Sequence, residues 1–419
     1  MPFSVPPEPN LSVYRGALMP EAVIVSTARS PIGRAFKGSM KDERPDDIAA
    51  QMVTAALAKV PELDPNSIED LMMGCGSPAG EQGFNIARVV AVMAGLDNVP
   101  GVTVNRYCSS SLQTIRMAAH AIKAGEGDAF ISAGVEFVSR YGAGASDNGM
   151  AVNSIFADAQ ARTLARSEAG AASWTPTEGL PDVYIAMGQT AENIAQQEGV
   201  SREAMDEWGV RSQNRAEAAI ARGFFENDIT PITLADGTTL AKDDGPRAGV
   251  TLEAVSGMKP VFRPDGRITA ANACPLNDGA AAIIVMSDTR AAELGIKPLA
   301  RIVASGVSGL NPEIMGLGPI EACRQAMRRA GMSIEDIDLV EINEAFAAQV
   351  LPSADVLGID YDKLNINGGG IALGHPFGMT GARIMTTLIN NLIETDKTIG
   401  METMCVGGGQ GMSMIIERL

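Results

Sequence analysis

The sequence predicts an α/β protein built as two pseudo-equivalent halves that share one central site. Three observations carry this reading. Apolar, β-branched runs alternate with amphipathic stretches along most of the 419 residues, the pattern of a parallel sheet covered by helices on both faces. Ser67-Ile68-Glu69-Asp70 recurs as Ser333-Ile334-Glu335-Asp336, each time just ahead of a strand-like run. The first copy stands 41 positions before Cys108 and the second 42 before His375. Each half therefore delivers one chemically capable residue from a strand end.

Residues 1–20 carry five prolines and no apolar signal core, and are expected to form a loose, disordered tail ahead of Met19-Pro20-Glu21. Glu21 to Thr27 reads as a central strand, and Pro45 opens a helix with Ile48, Met52 and Ala56 on one face. A strand at Leu71 to Gly76, a helix at Asn85 to Leu96 and a strand at Val102 to Val104 follow. Leu112 to Ala124 is the next helix and Ala129 to Val135 the next strand. From residue 141 to 247 the pattern changes to loops and helices, among them Met187 to Glu198 and Ser201 to Arg222. Such an insertion suits a lid over a site. The expected division is thus 21–140 with 248–297 as the first half, 141–247 as an inserted lid domain, and 298–419 as the second half.

The totals exclude several classes. A formal charge of −17 argues against nucleic acid and anionic membrane surfaces. An anionic ligand would need local basic groups or helix N-termini to hold it. The five cysteines are odd in number, scattered and free of CxxC spacing. That usage fits a reduced, cytoplasmic chain without a structural metal or a disulfide framework. No apolar run approaches a membrane span.

Cys108 falls where the strand Val102–Val104 turns into the following helix. A thiol there faces the positive end of a helix dipole, which is expected to lower its pKa. Taken alone, it reads better as a buried structural thiol. Three stretches near the C-terminus tip that balance. His375 lies in Gly374-His375-Pro376 within a glycine-rich run, a frame that lets the backbone approach a ligand closely. Cys405 is followed by Val406-Gly407-Gly408-Gly409, a small turn with bare N–H groups. Asn343-Glu344-Ala345-Phe346-Ala347 follows the strand Asp338 to Ile342 and could also be an ordinary helix cap.

Together these segments resemble the thiolase family, in order, from Glu21 to Leu419. Asn105-Arg106-Tyr107-Cys108 is similar to its nucleophile motif, Asn343 to Ala347 to NEAFA, Gly374-His375-Pro376 to GHP, and Cys405 with its glycines to the second-cysteine motif. The resemblance implies a layered αβαβα fold and an acyltransferase acting on 3-ketoacyl-CoA. It implies Cys108 as nucleophile, His375 as its base, and Cys405 as acid/base at the α-carbon. One oxyanion would sit against His375 and a water held by Asn343, the other against the N–H groups of Cys108 and Gly407. Arg247 would meet the CoA nucleotide, and Cys274, Met187, Ala186 and Phe346 the pantetheine and acyl portions. The implied partners are acyl-CoA and CoA as substrates, with no metal or organic cofactor, in a homodimer or homotetramer.

The chain departs from the family pattern at three places. Ser111 stands where many members carry glycine, Cys274-Pro275 where Ser-Gly is usual, and Ala186 where short-chain biosynthetic members have histidine. The last departure implies longer 3-ketoacyl chains and a degradative role, with short-chain acetoacetyl-CoA synthesis as the alternative. A decarboxylating ketoacyl synthase and a catalytically silent acyl-CoA-binding module are weaker rivals. The only other histidine, His120, is too close in sequence to Cys108 to serve a synthase, and the four intact motifs argue against the silent module.

Overall fold

The computed structural model describes residues 19–143 and 152–419, so nearly all of the expected N-terminal tail lies outside the described residues. The described residues form twelve strands: β1 Ala22–Arg29, β2 Gly33–Arg34, β3 Asp70–Gly74, β4 Gly101–Val104, β5 Ala129–Phe137, β6 Ile232–Thr233, β7 Thr239–Leu240, β8 Asn277–Ser287, β9 Ala300–Gly309, β10 Leu339–Ile342, β11 Ile399–Val406 and β12 Gln410–Arg418. All but the β6–β7 hairpin belong to one sheet, ordered β10-β11-β12-β9-β1-β8-β5-β3-β4, with β2 beside β8. The two halves join where β1 meets β9 through only two residue pairs.

The sheet is mixed rather than parallel. Only β3 with β4, β3 with β5, and β10 with β11 run parallel. β12 follows β11 through a turn of three glycines, too short for the crossover that a parallel neighbour needs, so it returns antiparallel. β8 lies antiparallel to both β1 and β5.

Side-chain alternation divides the core into layers. On β8, Ala280, Ala282 and Ile284 pack with Ile48, Met52 and Val90 of the helices Pro45–Ala58 and Ile86–Met93. Ala281, Ile283 and Val285 face the opposite way, onto Leu112, Ile115, Ile384 and Leu388. Those four belong to the helices Ser110–Ala124 and Thr380–Glu394, and both helices also pack on Met404, Met412, Met414 and Ile416 of the second half. Beyond that half-sheet, Met401 and Ile415 meet the helices Gly318–Ala330 and Ala347–Leu357. The result is helix, sheet, helix pair, sheet, helix. The two central helices cross so closely that a Cβ on Gly381 would come 2.4 Å from the backbone nitrogen of Leu112.

Segment 157–166 forms a helix that the small-residue composition of its surroundings conceals in the sequence. The helices Met187–Gln197 and Arg202–Ala221 stand where expected.

Candidate active site

The nucleophile turn is built by its own side chains. After β4 the chain enters a short 3-10 turn, Tyr107–Ser109, and then the helix Ser110–Ala124. Tyr107 holds φ at 44°, a left-handed conformation that a bulky residue avoids unless its surroundings impose it. Asn105 imposes it in part: its Oδ1 accepts from the Tyr107 N–H at 2.8 Å while its Nδ2 donates to Gly76 O at 3.1 Å. Ser110 Oγ accepts from the Arg106 N–H at 2.9 Å and donates to Tyr107 O at 2.7 Å. Ser111, in place of the usual glycine, accepts from the Ala382 N–H at 2.9 Å and so bolts the two central helices together.

Cys108 is buried, and burial pushes its thiol up to about 12, against the opposing pull of the Gly407 N–H and its own N–H. This corrects the expectation of a lowered pKa. The helix end does supply N–H groups, but loss of water outweighs them. The thiol rests protonated, so attack requires a base.

His375 can be that base. It lies between Gly374, at φ 113°, and Pro376, and its N–H donates to Asn277 Oδ1 at 2.9 Å. Its Nδ1 lies 2.6 Å from Thr380 Oγ1, whose own hydroxyl donates to Pro376 O at 2.7 Å. The threonine proton is therefore committed, and the ring proton belongs on Nδ1. Nε2 keeps its lone pair, facing Asn343 Nδ2 at 3.2 Å. Burial, with help from the Arg383 guanidinium, lowers His375 to about 3. Asn343 is fully buried just after β10 and caps no helix, since the next helix begins at Ala347 with Phe346 at its N-cap; the Asn343 Oδ1 has no partner among the described residues.

Cys405 lies inside β11, one residue before its end. Burial raises its thiol well above the ordinary value, and both Cys108 and Cys274 lie within electrostatic range of it. Gly407 is held from outside the turn: Arg106 donates to Gln410 Oε1 at 2.7 Å, and Gln410 Nε2 donates to Gly407 O at 3.1 Å. The two cysteine segments are thus tied by one arginine and one glutamine.

The substrate-side expectations divide. A cleft of about 570 Å³ is lined by Arg247 and Cys274, together with Arg34, Phe262 and Pro275. Arg247 is exposed at its surface and is anchored through its backbone N–H to Gln213. Cys274 bonds through its N–H to Ala345 O at 3.0 Å, and burial raises its thiol. Phe346 does not line the cleft; its ring packs edge-on to Phe262 at 6.2 Å, behind the wall. Ala186 is exposed ahead of the helix Met187–Gln197, and Met187 packs partly against the outer core of the second half.

Residues 22–289 match the family described as Thiolase, N-terminal domain, and residues 296–418 match Thiolase, C-terminal domain. The chain belongs to the thiolase family. It is 40% identical to the 3-ketoacyl-CoA thiolase of Bacillus subtilis over 412 residues, covering 95% of this chain and all of that one. The Aeromonas hydrophila 3-ketoacyl-CoA thiolase is 42% identical over 410 residues, 96% of this chain and again all of the relative. The crystal structure of the Bacillus anthracis acetyl-CoA acetyltransferase superposes with a TM-score of 0.82 at 37% identity, covering 96% of this chain and 99% of that one.

Sequence reasoning assigned no role to several residues that build this candidate site. Glu136 is buried and accepts from the N–H groups of Gly76, Ser77 and Gly378, from Gln82 and from the Tyr141 hydroxyl. It ties the loop after β3 to the loop that carries His375. Glu344 accepts from Trp208, Ser212, Asn365 and the Ile371 N–H, joining the insertion to the glycine run. A buried carboxylate flanked by apolar strand residues was the available signal in each case. Thr380 carried none, because its partner is five positions away on an irregular turn. Among the described residues, no helix is long and apolar enough to cross a membrane, and no group of three or more His, Cys, Asp or Glu is placed to hold a metal.

Proposed function

We propose that this thiolase cleaves 3-ketoacyl-CoA with CoA to give acetyl-CoA and a shortened acyl-CoA, and runs the reverse condensation through the same acyl-Cys108. The observation that carries the proposal is that the Cys108 thiol is buried and protonated while His375 is buried and neutral, with its unprotonated Nε2 turned to Asn343 rather than carrying the ring proton.

In that reading His375 takes the Cys108 proton as sulfur attacks the 3-keto carbonyl. The Cys108 and Gly407 N–H groups hold the 3-keto oxygen as it becomes the first oxyanion, and His375 with a water held by Asn343 would meet the thioester oxygen that carries the enolate charge when the bond breaks. The bond between C2 and C3 breaks, its electron pair goes to C2, and Cys405 supplies the proton that completes acetyl-CoA. Free CoA then takes the acyl group from Cys108, with the Cys108 and Gly407 N–H groups holding the thioester oxygen. Arg247 and Arg34 would meet the CoA phosphates, and Cys274 the pantetheine arm, without any metal or organic cofactor. Ala186 and Met187 would border the acyl chain, with Phe346 supporting the wall.

The degradative direction, on medium or branched chains, is supported by the 3-ketoacyl-CoA thiolase names of the relatives and by Ala186. Acetoacetyl-CoA synthesis is the second reading, favoured by the likeness to an acetyl-CoA acetyltransferase. The lid boundaries at 141 and 247, a homodimer or homotetramer, and a cytoplasmic location belong to the same proposal. Assay against a ladder of 3-ketoacyl-CoAs tests it. CoA-dependent loss of the enolate absorbance is expected, with six- to ten-carbon substrates, a range guessed from roughly 0.8 kcal/mol per buried methylene, used at least as well as acetoacetyl-CoA. No turnover of any member would overturn the activity, and turnover of acetoacetyl-CoA alone would overturn the degradative reading.

A further inference from the structure

A second concave site lies away from the CoA cleft and shares no lining residue with it. It is a pocket of about 370 Å³ between the helix Ser110–Ala124, β9 and the helix Gly318–Ala330. Arg116, His120 and Lys123 stand at successive turns of the first helix, one face of it, and Arg329 reaches in from the other. No carboxylate lines this pocket, and its floor is apolar, formed by Ile302, Ala119 and Met414 among others.

The surplus of positive charge runs against the chain's overall balance. Acidic residues outnumber basic ones by 50 to 33, and twelve arginines and lysines among the described residues are engaged in ion pairs. None of Arg116, Lys123 and Arg329 is among them. Instead Arg116 Nε donates to Ser305 Oγ at 3.1 Å and Arg329 Nη1 donates to Ser305 O at 2.6 Å, which fixes both guanidinium groups on one residue of β9. The remaining N–H groups of each fork are left to face the pocket or solvent. After burial, the electrostatic influences on Arg116 and His120 come from neighbouring cations: Arg106 and Arg329 on the former, Arg116, Lys123 and Arg329 on the latter. Like charges gathered in a concave, partly desolvated site repel one another, and a polyanion would relieve that repulsion while using forks suited to phosphate oxygens.

We propose that this pocket is a binding site for a di- or triphosphate group, distinct from the CoA cleft, with an apolar floor that can take an attached base. The test is titration calorimetry of the full chain with inorganic pyrophosphate and, separately, with ATP, each with and without saturating desulfo-CoA. Saturable binding that desulfo-CoA leaves unchanged, and that weakens at least about tenfold in Lys123→Gln/Arg329→Gln, is expected. Lys123→Gln alone, which breaks no hydrogen bond or ion pair among the described residues, should weaken it in the same direction. Tighter binding of ATP than of pyrophosphate would place a base on the Ile302 and Met414 floor; equal binding would show that phosphate alone is read. Three results would overturn the proposal: no saturable binding, displacement by desulfo-CoA, or equal affinity in the variants. Dissociation of an oligomer by the double variant in sedimentation velocity would also overturn it, because the face would then be covered by a second copy.

Discussion

Thr380 Oγ1 lies 2.6 Å from Nδ1 of His375, and this contact decides which ring nitrogen can serve as base. The threonine donates its only proton to Pro376 O, so it can only accept from the ring. In Thr380→Val that acceptor is lost and both tautomers become available. We expect kcat to fall about tenfold to hundredfold with KM for CoA little changed, and Thr380→Ser to recover most of the loss, since the effect acts on general-base catalysis. Steady-state kinetics of the three proteins decides it, and an unaltered kcat in Thr380→Val would remove the tautomer argument.

The pH dependence of acylation follows from the same pair. His375 is lowered to about 3 and Cys108 is raised to about 12, so neither titrates across the neutral range. Acylation of the enzyme by acetoacetyl-CoA in the absence of CoA, which removes the CoA thiol from the profile, should have a flat rate there. A sigmoid centred near the ordinary imidazole value of about 6.5 would contradict the neutral pair. In Cys108→Ser the acyl-enzyme should not form at a measurable rate, because a hydroxyl is a far poorer nucleophile than a thiol.

Much of this was legible in the sequence because it rests on local pattern. The Ser67 and Ser333 repeats pointed to two halves, and short motifs singled out Cys108, Asn343, His375 and Cys405 as candidates. What was not legible depends on contacts between distant segments. Strand direction is one case: nothing in β8 says that it lies antiparallel to β1 and β5, since a fully buried run reads the same either way. The acidity of Cys108 is another. Its helix position was visible, but its burial depends on packing contributed by the second half, and burial decides the sign. Glu136 and Glu344 act through partners from several loops, which no spacing rule brings together.

The tie between the two cysteine segments should be measurable. Gln410 joins Arg106 to the Gly407 carbonyl, and Gly407 N–H faces Cys108. Gln410→Ala releases that peptide from one side. Loss of one oxyanion donor typically costs about 10²- to 10³-fold, and a loosened donor should cost less, on the order of tenfold, in the deacylation step. Single-turnover transfer of the acyl group from Cys108 to CoA measures this step. An unchanged rate would show that Gly407 is held by its own backbone.

Arg247 stands exposed at the cleft in a chain of formal charge −17. Arg247→Ala should raise KM for CoA several-fold and leave kcat within about twofold, the signature of binding shared equally by ground and transition states. The companion Arg34→Ala tests whether the second arginine lining the cleft contributes in the same way. If KM stays at the parental value in both, the CoA phosphates lie elsewhere.

Glu341 and Glu402 are direct neighbours across the parallel pair β10 and β11, both fully buried, and neither Glu402 oxygen has a partner among the described residues. Two carboxylates so placed cannot both ionise cheaply. Burial raises Glu341 to about 8, with Arg383 opposing, and Glu402 is raised well above its usual value. The sign for stability follows. The folded state keeps a proton that the unfolded chain releases above its ordinary 4.5, so stability falls as pH rises from there and this contribution is lost once pH passes about 8. The slope for one such group cannot exceed about 1.4 kcal/mol per pH unit. Glu341→Gln keeps an acceptor for Asn391 Nδ2, which donates to Glu341 Oε1 at 2.9 Å, and it cannot ionise. Chemical unfolding across pH 5 to 9 should therefore show the variant losing less stability with rising pH than the parent, and equalling or exceeding it at the alkaline end. Parallel pH dependences for the two proteins would mean that Glu341 is already ionised in the native fold.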